Sequence, residues 1–294
     1  MELSRRTLAG FAAAIAIVAG ASAPAGATDY ANPHLLVSSA ALSDLLDRDD
    51  VRVIDVRPEK DYDAGHIPRA LNIPADSVND PMAQVEGARL LDDKLASLFG
   101  SRGIDKNTRV VLYDDKGGFH AARLFWMLDY FGHRKVGILN GGIQKWTADG
   151  HKLSRNRAKA RPAQFTPTPM DRRIASADWL LERRHDPNVV VIDVRPAASY
   201  QKGHIPWARN IPWAQNLAAD GTMKSADELL AHFASHGVTP EKNIASHCQD
   251  GKASAHSYFT LRLLGFPRIR SYDRSWAEWG TADDLPKTVP PPRG

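Results

Sequence analysis

An internal repeat restricts the fold of this chain more than any other feature. Residues 55–74 read DVRPEKDYDAGHIPRALNIP and residues 193–212 read DVRPAASYQKGHIPWARNIP, so thirteen of twenty positions are identical at an offset of 138 residues. Such a repeat within 294 residues predicts two copies of one small domain. Each copy follows a β-branched run, at 51–54 and 189–192, which is typical of a buried strand.

The same order of elements follows each copy of the repeat. In each half we predict an amphipathic stretch, then an apolar strand, then a long helix and then a short last strand. In the first half these lie at 90–99, 109–113, 121–131 and 135–139, and in the second half at 229–234, 243–247, 253–264 and 268–272. Strands that alternate with helices indicate βαβ units. We therefore expect an α/β fold with two tandem domains, each a small parallel sheet with helices on both faces.

The expected domains follow from these limits. The first domain is predicted at 42–150 and the second at 176–284. Residues 151–175 are rich in Arg, Pro and Thr and are predicted to form a linker. Residues 285–294 contain three consecutive prolines and are predicted to form an extended, poorly ordered tail.

Residues 1–27 have the pattern of an export signal. The pair Arg5-Arg6 precedes an alanine-rich apolar run, and residues 25–27 fit an A-x-A cleavage site. Paired arginines are typical of the twin-arginine route, although the residues after the pair depart from the preferred Leu and Lys, so Sec export stays open. An uncleaved anchor or a disordered tail is the alternative. We expect a periplasmic or otherwise extracytoplasmic protein.

Composition excludes two classes of partner. The net charge is only +4, and loss of two arginines and one glutamate with the signal lowers it to +3. The basic residues are scattered, which argues against nucleic acid. After the N-terminus no apolar run is long enough to span a bilayer, so no membrane association is expected once the signal is cleaved.

The single cysteine, Cys248, lies within the sequence SHCQDGKAS of residues 246–254. The flanking patterns place it at a turn between a strand and a helix. Such a turn directs backbone N–H groups and the positive end of the helix at one point, which stabilises a thiolate nucleophile. Gly251 permits a tight turn, and Lys252 adds a cation where an anion would bind. No intramolecular disulfide is possible, and a buried unreactive thiol is the alternative.

Most other polar residues of the repeat have structural explanations. Asp55 and Asp193 each end a strand and are placed to receive the arginine two residues later. His66 and His204 recur in both halves, so we expect structural histidines. The histidines lack ligand spacing and no cysteine pair exists, so no metal or organic cofactor is predicted. Trp213 is either a wall of the substrate pocket or a core residue.

The block D-V-R-x4-Y-x2-G-H-I-P-x-A-x-N-I-P, the loop C-Q-D-G-K-A and the duplication resemble the tandem-domain rhodanese family of sulfurtransferases over residues 42–284. The resemblance implies a catalytic second domain and a non-catalytic first domain, since Asp114 stands at the position of Cys248. It implies a thiosulfate sulfurtransferase, in which Cys248 takes sulfur from thiosulfate and passes it from a persulfide to cyanide or another thiophilic acceptor.

The resemblance also implies the substrate-binding residues. The N–H groups of Gln249, Asp250, Gly251, Lys252 and Ala253 are expected to surround the persulfide anion. The Lys252 ammonium is expected to hold the anionic end of the donor.

Departures from the family pattern leave alternatives open. Ser199 stands where thiosulfate-type members often carry arginine, and the loop lacks the Gly-Ser-Gly-Val-Thr typical of mercaptopyruvate-type members. A 3-mercaptopyruvate sulfurtransferase and a persulfide carrier that serves a protein partner are the alternatives. A cysteine-dependent phosphatase is disfavoured, because it needs Cys-x5-Arg to grip phosphate and the sixth residue after Cys248 is Ser254.

Overall fold

The computed structural model describes residues 30–290, and the export signal expected at 1–27 lies outside them. Two parallel sheets share one strand order, β1-β5-β4-β2-β3 in the first domain and β6-β10-β9-β7-β8 in the second. The strands are β1 Leu36–Val37, β2 Val51–Asp55, β3 Leu71–Asn72, β4 Arg109–Tyr113, β5 Val136–Leu139, β6 Ile174–Ala175, β7 Val189–Asp193, β8 Arg209–Asn210, β9 Asn243–His247 and β10 Ile269–Tyr272.

Helices cover both faces of each sheet, which confirms the predicted fold class. The helices are α1 Ser39–Leu45, α2 Glu59–Ala64, α3 Asp92–Ser101, α4 Ala121–Tyr130, α5 Gly142–Ala148, α6 Ala177–Glu182, α7 Ala197–Tyr200, α8 Ala226–Ser235, α9 Lys252–Leu263 and α10 Ser275–Trp279. Successive residues of β4 enter opposite cores: Val110 packs in the cluster that contains α3 and α4, and Val111 in the cluster that contains α1 and α5.

The two domains meet along α4 and α9. Every residue of α4 is buried, which is typical of a helix enclosed on all sides. The ring of Phe125 on α4 lies 4.9 Å from that of Phe259 on α9, edge to face. One hydrophobic cluster continues from the first domain into the second. Since each of these helices follows the loop after a central strand, both loops face the domain interface.

The sheets extend beyond the predicted domain limits. β1 pairs with β5 and β6 pairs with β10, so residues 36–37 and 174–175 belong to the sheets although they lie outside 42–150 and 176–284. A strand of two residues is too short to produce a periodic pattern, so the sequence does not reveal it.

Residues 285–288 pack against the second domain, which corrects the expectation of a poorly ordered tail for that part. His204 and Thr288 exchange two backbone hydrogen bonds of 3.0 Å. In the first domain, His66 and Ser154 of the linker make the same exchange, at 2.9 and 2.8 Å. Backbone groups carry these contacts, so the composition of the segments gives no sign of them.

The conserved geometry of the repeat confirms structural roles for its polar residues. The Asp193 carboxylate accepts a bidentate hydrogen bond from Arg195, with Nη2 2.6 Å from Oδ2, and Asp55 holds Arg57 in the same way at 2.6 Å. The ring Nδ1 of His66 lies 2.8 Å from the carbonyl oxygen of Tyr62. Within residues 30–290 no helix has the length and apolar character needed to cross a membrane.

Candidate active site

Cys248 follows the last residue of β9 and begins the loop that leads into α9, as the sequence predicts. Its Sγ accepts a hydrogen bond from the backbone N–H of Gly251 at 3.2 Å and lies 4.0 Å from Oδ1 of Asp250. The side chain is only 1% exposed. The thiol is therefore enclosed by its own loop and by the surrounding elements.

The loop requires glycine at position 251. Gly251 has φ of +85°, in the left-handed region, and a Cβ there would lie 2.4 Å from Nη1 of Arg123. Gln249 is exposed, and its carbonyl accepts a hydrogen bond from the N–H of Ala277 at 2.9 Å. Ala253 is buried in the first turn of α9. The sequence predicted that five N–H groups surround the sulfur, and in the structure the N–H of Gly251 donates a hydrogen bond to Sγ.

Ser275 completes the surroundings of the thiol, and sequence reasoning missed it. Its hydroxyl accepts a hydrogen bond from the N–H of Cys248 at 3.0 Å, donates one to the carbonyl of Tyr272 at 2.8 Å, and lies 3.9 Å from Sγ. Ser275 has φ of +52°, in the left-handed region, where the first domain has Gly142 at +60°. The second domain thus has serine, with an unfavourable backbone conformation, where the first domain has glycine. This difference between the two halves is the feature of the sequence that could have identified Ser275.

The equivalent loop of the first domain shows how this turn holds an anion. Asp114 is fully buried, and its carboxylate accepts four backbone hydrogen bonds of 2.6–3.0 Å. The donors are the N–H groups of Lys116, Gly118, His120 and Ala121. Four convergent N–H groups are an anion-binding nest, and in this domain the chain's own carboxylate fills it.

Lys252 lies at the start of α9 and forms ion pairs with two carboxylates. Its Nζ is 3.0 Å from Oδ1 of Asp76 and 3.4 Å from Oδ2 of Asp250. Burial opposes the charged ammonium, but the hydrogen bond to Asp76 and the charge of Asp250 outweigh it, so the pKa of Lys252 lies above its ordinary value. Asp76 belongs to the 3₁₀ turn Ala75–Val78 of the first domain, and sequence reasoning missed it.

Arg123 on α4 reaches across the interface to the loop that carries Cys248, and no local pattern in the sequence indicated this. Its guanidinium pairs with the buried carboxylate of Asp273. It also donates to the carbonyl of Gly251 at 3.3 Å and to that of Gly87 at 2.7 Å. The guanidinium thus ties the loop 248–251 to both the second sheet and the first domain.

His256 on α9 makes the reciprocal contact with the loop of the first domain. Its Nε2 lies 3.1 Å from the carbonyl oxygen of Gly117, and its Nδ1 lies 3.4 Å from the amide nitrogen of Asn216. Burial lowers the pKa of His256 to about 4, so the ring is neutral at neutral pH and Nε2 carries the proton that Gly117 accepts. Trp213 is half-buried and packs against this ring and against Phe119, so it borders the equivalent loop of the first domain.

His247 points away from Cys248, as strand alternation predicts. Its Nε2 lies 3.6 Å from Oδ2 of Asp193. Burial lowers the pKa of His247 although the Asp193 charge opposes this shift. Ser199 is the third residue of α7, directly before the repeat tyrosine Tyr200, and its side chain is not a cation. Within residues 30–290, no three His, Cys, Asp or Glu side chains are arranged to hold a metal ion.

Comparisons with known proteins define the class. The rhodanese-like domain family matches residues 38–149 and 176–282, once for each domain. The chain therefore belongs to the rhodanese family, as the repeated block and the cysteine loop predict.

Its relatives are sulfur-handling proteins of similar length. The chain is 36% identical to the sulfur carrier protein TtuD of Thermus thermophilus, over 87% of this chain and 97% of that protein. It is 30% identical to the thiosulfate sulfurtransferase of Azotobacter vinelandii, over 88% and 98% respectively. The crystal structure of the 3-mercaptopyruvate sulfotransferase SseA from Escherichia coli is similar with a TM-score of 0.76 at 28% identity, covering 82% of this chain and 98% of that one.

Proposed function

We propose that the protein is a thiosulfate sulfurtransferase that carries sulfur as a persulfide on Cys248. The supporting observation is the Asp114 carboxylate, which accepts four N–H groups in the equivalent loop. The outer oxygen of an aspartate and the outer sulfur of a cysteine persulfide are the same number of bonds away from Cα. A persulfide anion on Cys248 would thus lie where the first domain holds its carboxylate, and N–H groups would stabilise it.

The proposed reaction consists of two displacements at sulfur. The Cys248 thiolate attacks the outer sulfur of thiosulfate, a new S–S bond forms to Sγ, the S–S bond of the donor breaks, and sulfite leaves with the electron pair. Cyanide or a thiolate then attacks the outer sulfur of the persulfide, and the Cys248 thiolate is released. Such a covalent intermediate predicts ping-pong kinetics.

The loop residues receive the following proposed roles. The N–H of Gly251 stabilises the sulfur, and those of Gln249 and Ala253 extend the nest once the persulfide is formed. Lys252 holds the sulfonate end of thiosulfate, and Asp250, 3.4 Å from its ammonium, orients it. The sulfur acceptor is a small thiophilic molecule, and the proposal includes no cofactor.

A comparison of donors tests this function. We expect kcat/KM for thiosulfate to exceed that for 3-mercaptopyruvate by about tenfold, which corresponds to about 1.4 kcal/mol. Both donors offer an anionic group to the Lys252 ammonium, but thiosulfate is a dianion and gains more from that charge, and the loop lacks the Gly-Ser-Gly-Val-Thr typical of mercaptopyruvate-type members. Formation of thiocyanate with each donor at equal cyanide measures this ratio. A preference for 3-mercaptopyruvate would instead favour the alternative enzyme.

A persulfide carrier is the second candidate, because the relative at 36% identity is named a sulfur carrier protein. A carrier would load Cys248 from thiosulfate as readily as the enzyme does. It would release sulfur slowly to free cyanide and rapidly to a protein thiol. Loading without turnover in the same assay would therefore favour the carrier.

We also propose that the protein works outside the cytoplasm, on the strength of Arg5-Arg6 and of residues 25–27. The mature chain is expected to begin near Thr28, and mass analysis of protein from its native host measures this. Replacement of both arginines by lysine should stop export by the twin-arginine route, whereas continued export would indicate Sec. An intact Met1 would contradict the proposal.

A further inference from the structure

The ammonium of Lys252 is already occupied in the resting protein, and one of its two partners comes from the other domain. Nζ lies 3.0 Å from Oδ1 of Asp76 and 3.4 Å from Oδ2 of Asp250. The two carboxylates differ in environment, because the side chain of Asp76 is 81% exposed and that of Asp250 is 22% exposed. The ion pair with Asp76 therefore crosses the domain interface at its solvent edge.

The local charge opposes an anionic donor as long as both carboxylates stay in place. Asp250 and Asp76 together carry one more charge than Lys252 neutralises, and Asp250 Oδ1 lies 4.0 Å from the reacting sulfur. A doubly charged donor such as thiosulfate would meet this excess negative charge before it reached the thiol.

Asp76 is the partner that an incoming anion can replace. Asp250 is held in place: its Oδ1 accepts a hydrogen bond from the N–H of Lys252 at 3.4 Å. A Cβ on Gly87 would lie only 2.5 Å from its carbonyl oxygen, so the first domain packs closely against it. Asp76 lies on a 3₁₀ turn with its carboxylate in water, so its displacement exposes no apolar surface and leaves no buried charge unpaired.

We propose that Asp76 is a specificity-determining residue that competes with anionic donors for the ammonium of Lys252. It acts from the non-catalytic domain, so the first domain takes part in donor selection. An anionic donor binds when it replaces the Asp76 carboxylate at Nζ, and a neutral reagent reaches the thiol without this exchange. The thiosulfate part of this inference rests on the proposed function, whereas the charge competition itself does not.

Alkylation of Cys248 tests the competition without any sulfur transfer, and the single cysteine makes the readout unambiguous. The probes are iodoacetate, which is anionic, and iodoacetamide, which is neutral and of similar size. In Asp76→Asn we expect the rate with iodoacetate to rise about two- to fivefold at low salt, in line with an exposed ion pair, and to return towards the wild-type rate at about 1 M salt. The rate with iodoacetamide should not change.

Two further variants sharpen the result. Asp44→Asn removes the same charge from an exposed position on α1 and should leave both rates unchanged. In a Lys252→Met background, Asp76→Asn should lose its selective effect on iodoacetate, because the contested ammonium is gone. If both reagents reacted faster by the same factor in Asp76→Asn, Asp76 would restrict access to the thiol regardless of charge. If iodoacetate reacted more slowly, Asp76 would instead hold Lys252 in the position that binds anions. Either outcome overturns the proposal.

The steady-state result separates this inference from the proposed function. If thiosulfate is the donor, Asp76→Asn should lower its KM about two- to fivefold with kcat unchanged. A wild-type protein that does not turn over thiosulfate would refute the proposed function and leave the alkylation result standing. A raised KM beside normal wild-type turnover would refute the role of Asp76 alone.

Discussion

Cys248→Ser is expected to lower sulfur transfer by at least about a thousandfold, because the serine hydroxyl cannot form the persulfide on which both displacements depend. The fold should tolerate the change. The side chain is small and buried, and the N–H of Cys248 keeps its acceptor, Ser275, at 3.0 Å. Thiocyanate formation measures the activity. The mass of the intact chain after incubation with thiosulfate shows whether a sulfur atom has been added.

Cys248→Asp is the matched variant that the chain itself suggests. It builds into the second domain the carboxylate that Asp114 provides in the first, where four N–H groups donate hydrogen bonds to it. We expect this variant to be as inactive as Cys248→Ser and no less stable in urea. Sulfur loading that survives in either variant would contradict the assignment of the nucleophile, since the chain has no other cysteine.

The repeated block made the architecture predictable from the sequence. The strands Arg109–Tyr113 and Asn243–His247 have the predicted bounds. The first is marked by its apolar run, which is typical of a central strand of a parallel sheet, and the second by its equivalent place after the repeat. The turn that carries Cys248 was predictable for a related reason, since strand, glycine and helix follow one another along the chain. The strands and the turn each depend on residues that are close together in the sequence, so a sequence pattern indicates them.

The remaining parts of the site come from distant segments. Asp76 lies 3.0 Å from Lys252, but no pattern around residue 76 indicates that contact. Arg123 reads in the sequence as an ordinary residue of an apolar helix, and only the packing of α4 against α9 brings it to Gly251. Ser275 is an intermediate case, because comparison with Gly142 could have marked it. Tertiary contacts of this kind depend on how the two domains meet.

Arg123→Met is expected to have the largest effect on stability, because it leaves the carboxylate of Asp273 buried without its partner. Arg123 is 0% exposed and Asp273 only 5%. Removal of one member of a buried ion pair costs about 3–5 kcal/mol, so the midpoint of urea unfolding should fall markedly. The carbonyl of Gly251 would also lose a donor at 3.3 Å. The loop would then hold its N–H groups less firmly towards the sulfur, so kcat per folded molecule should fall as well.

His256→Gln separates the two consequences of that change. His256 supports the loop of the first domain as Arg123 supports the loop that carries Cys248, with Nε2 3.1 Å from the carbonyl of Gly117. Its substitution should lower stability by about 1–3 kcal/mol, as the loss of a buried hydrogen-bonding group does, without lowering kcat per folded molecule.

Arg123→Lys should be more stable than Arg123→Met, because lysine restores the positive charge beside Asp273. It should stay less stable than the wild type, because lysine lacks the planar guanidinium that contacts Asp273, Gly251 and Gly87 together. If Arg123→Met and His256→Gln lowered stability but neither changed kcat, Arg123 would be a structural residue of the interface and would not position the loop. A fall in kcat confined to Arg123→Met would show that the first domain holds the catalytic loop in its working geometry.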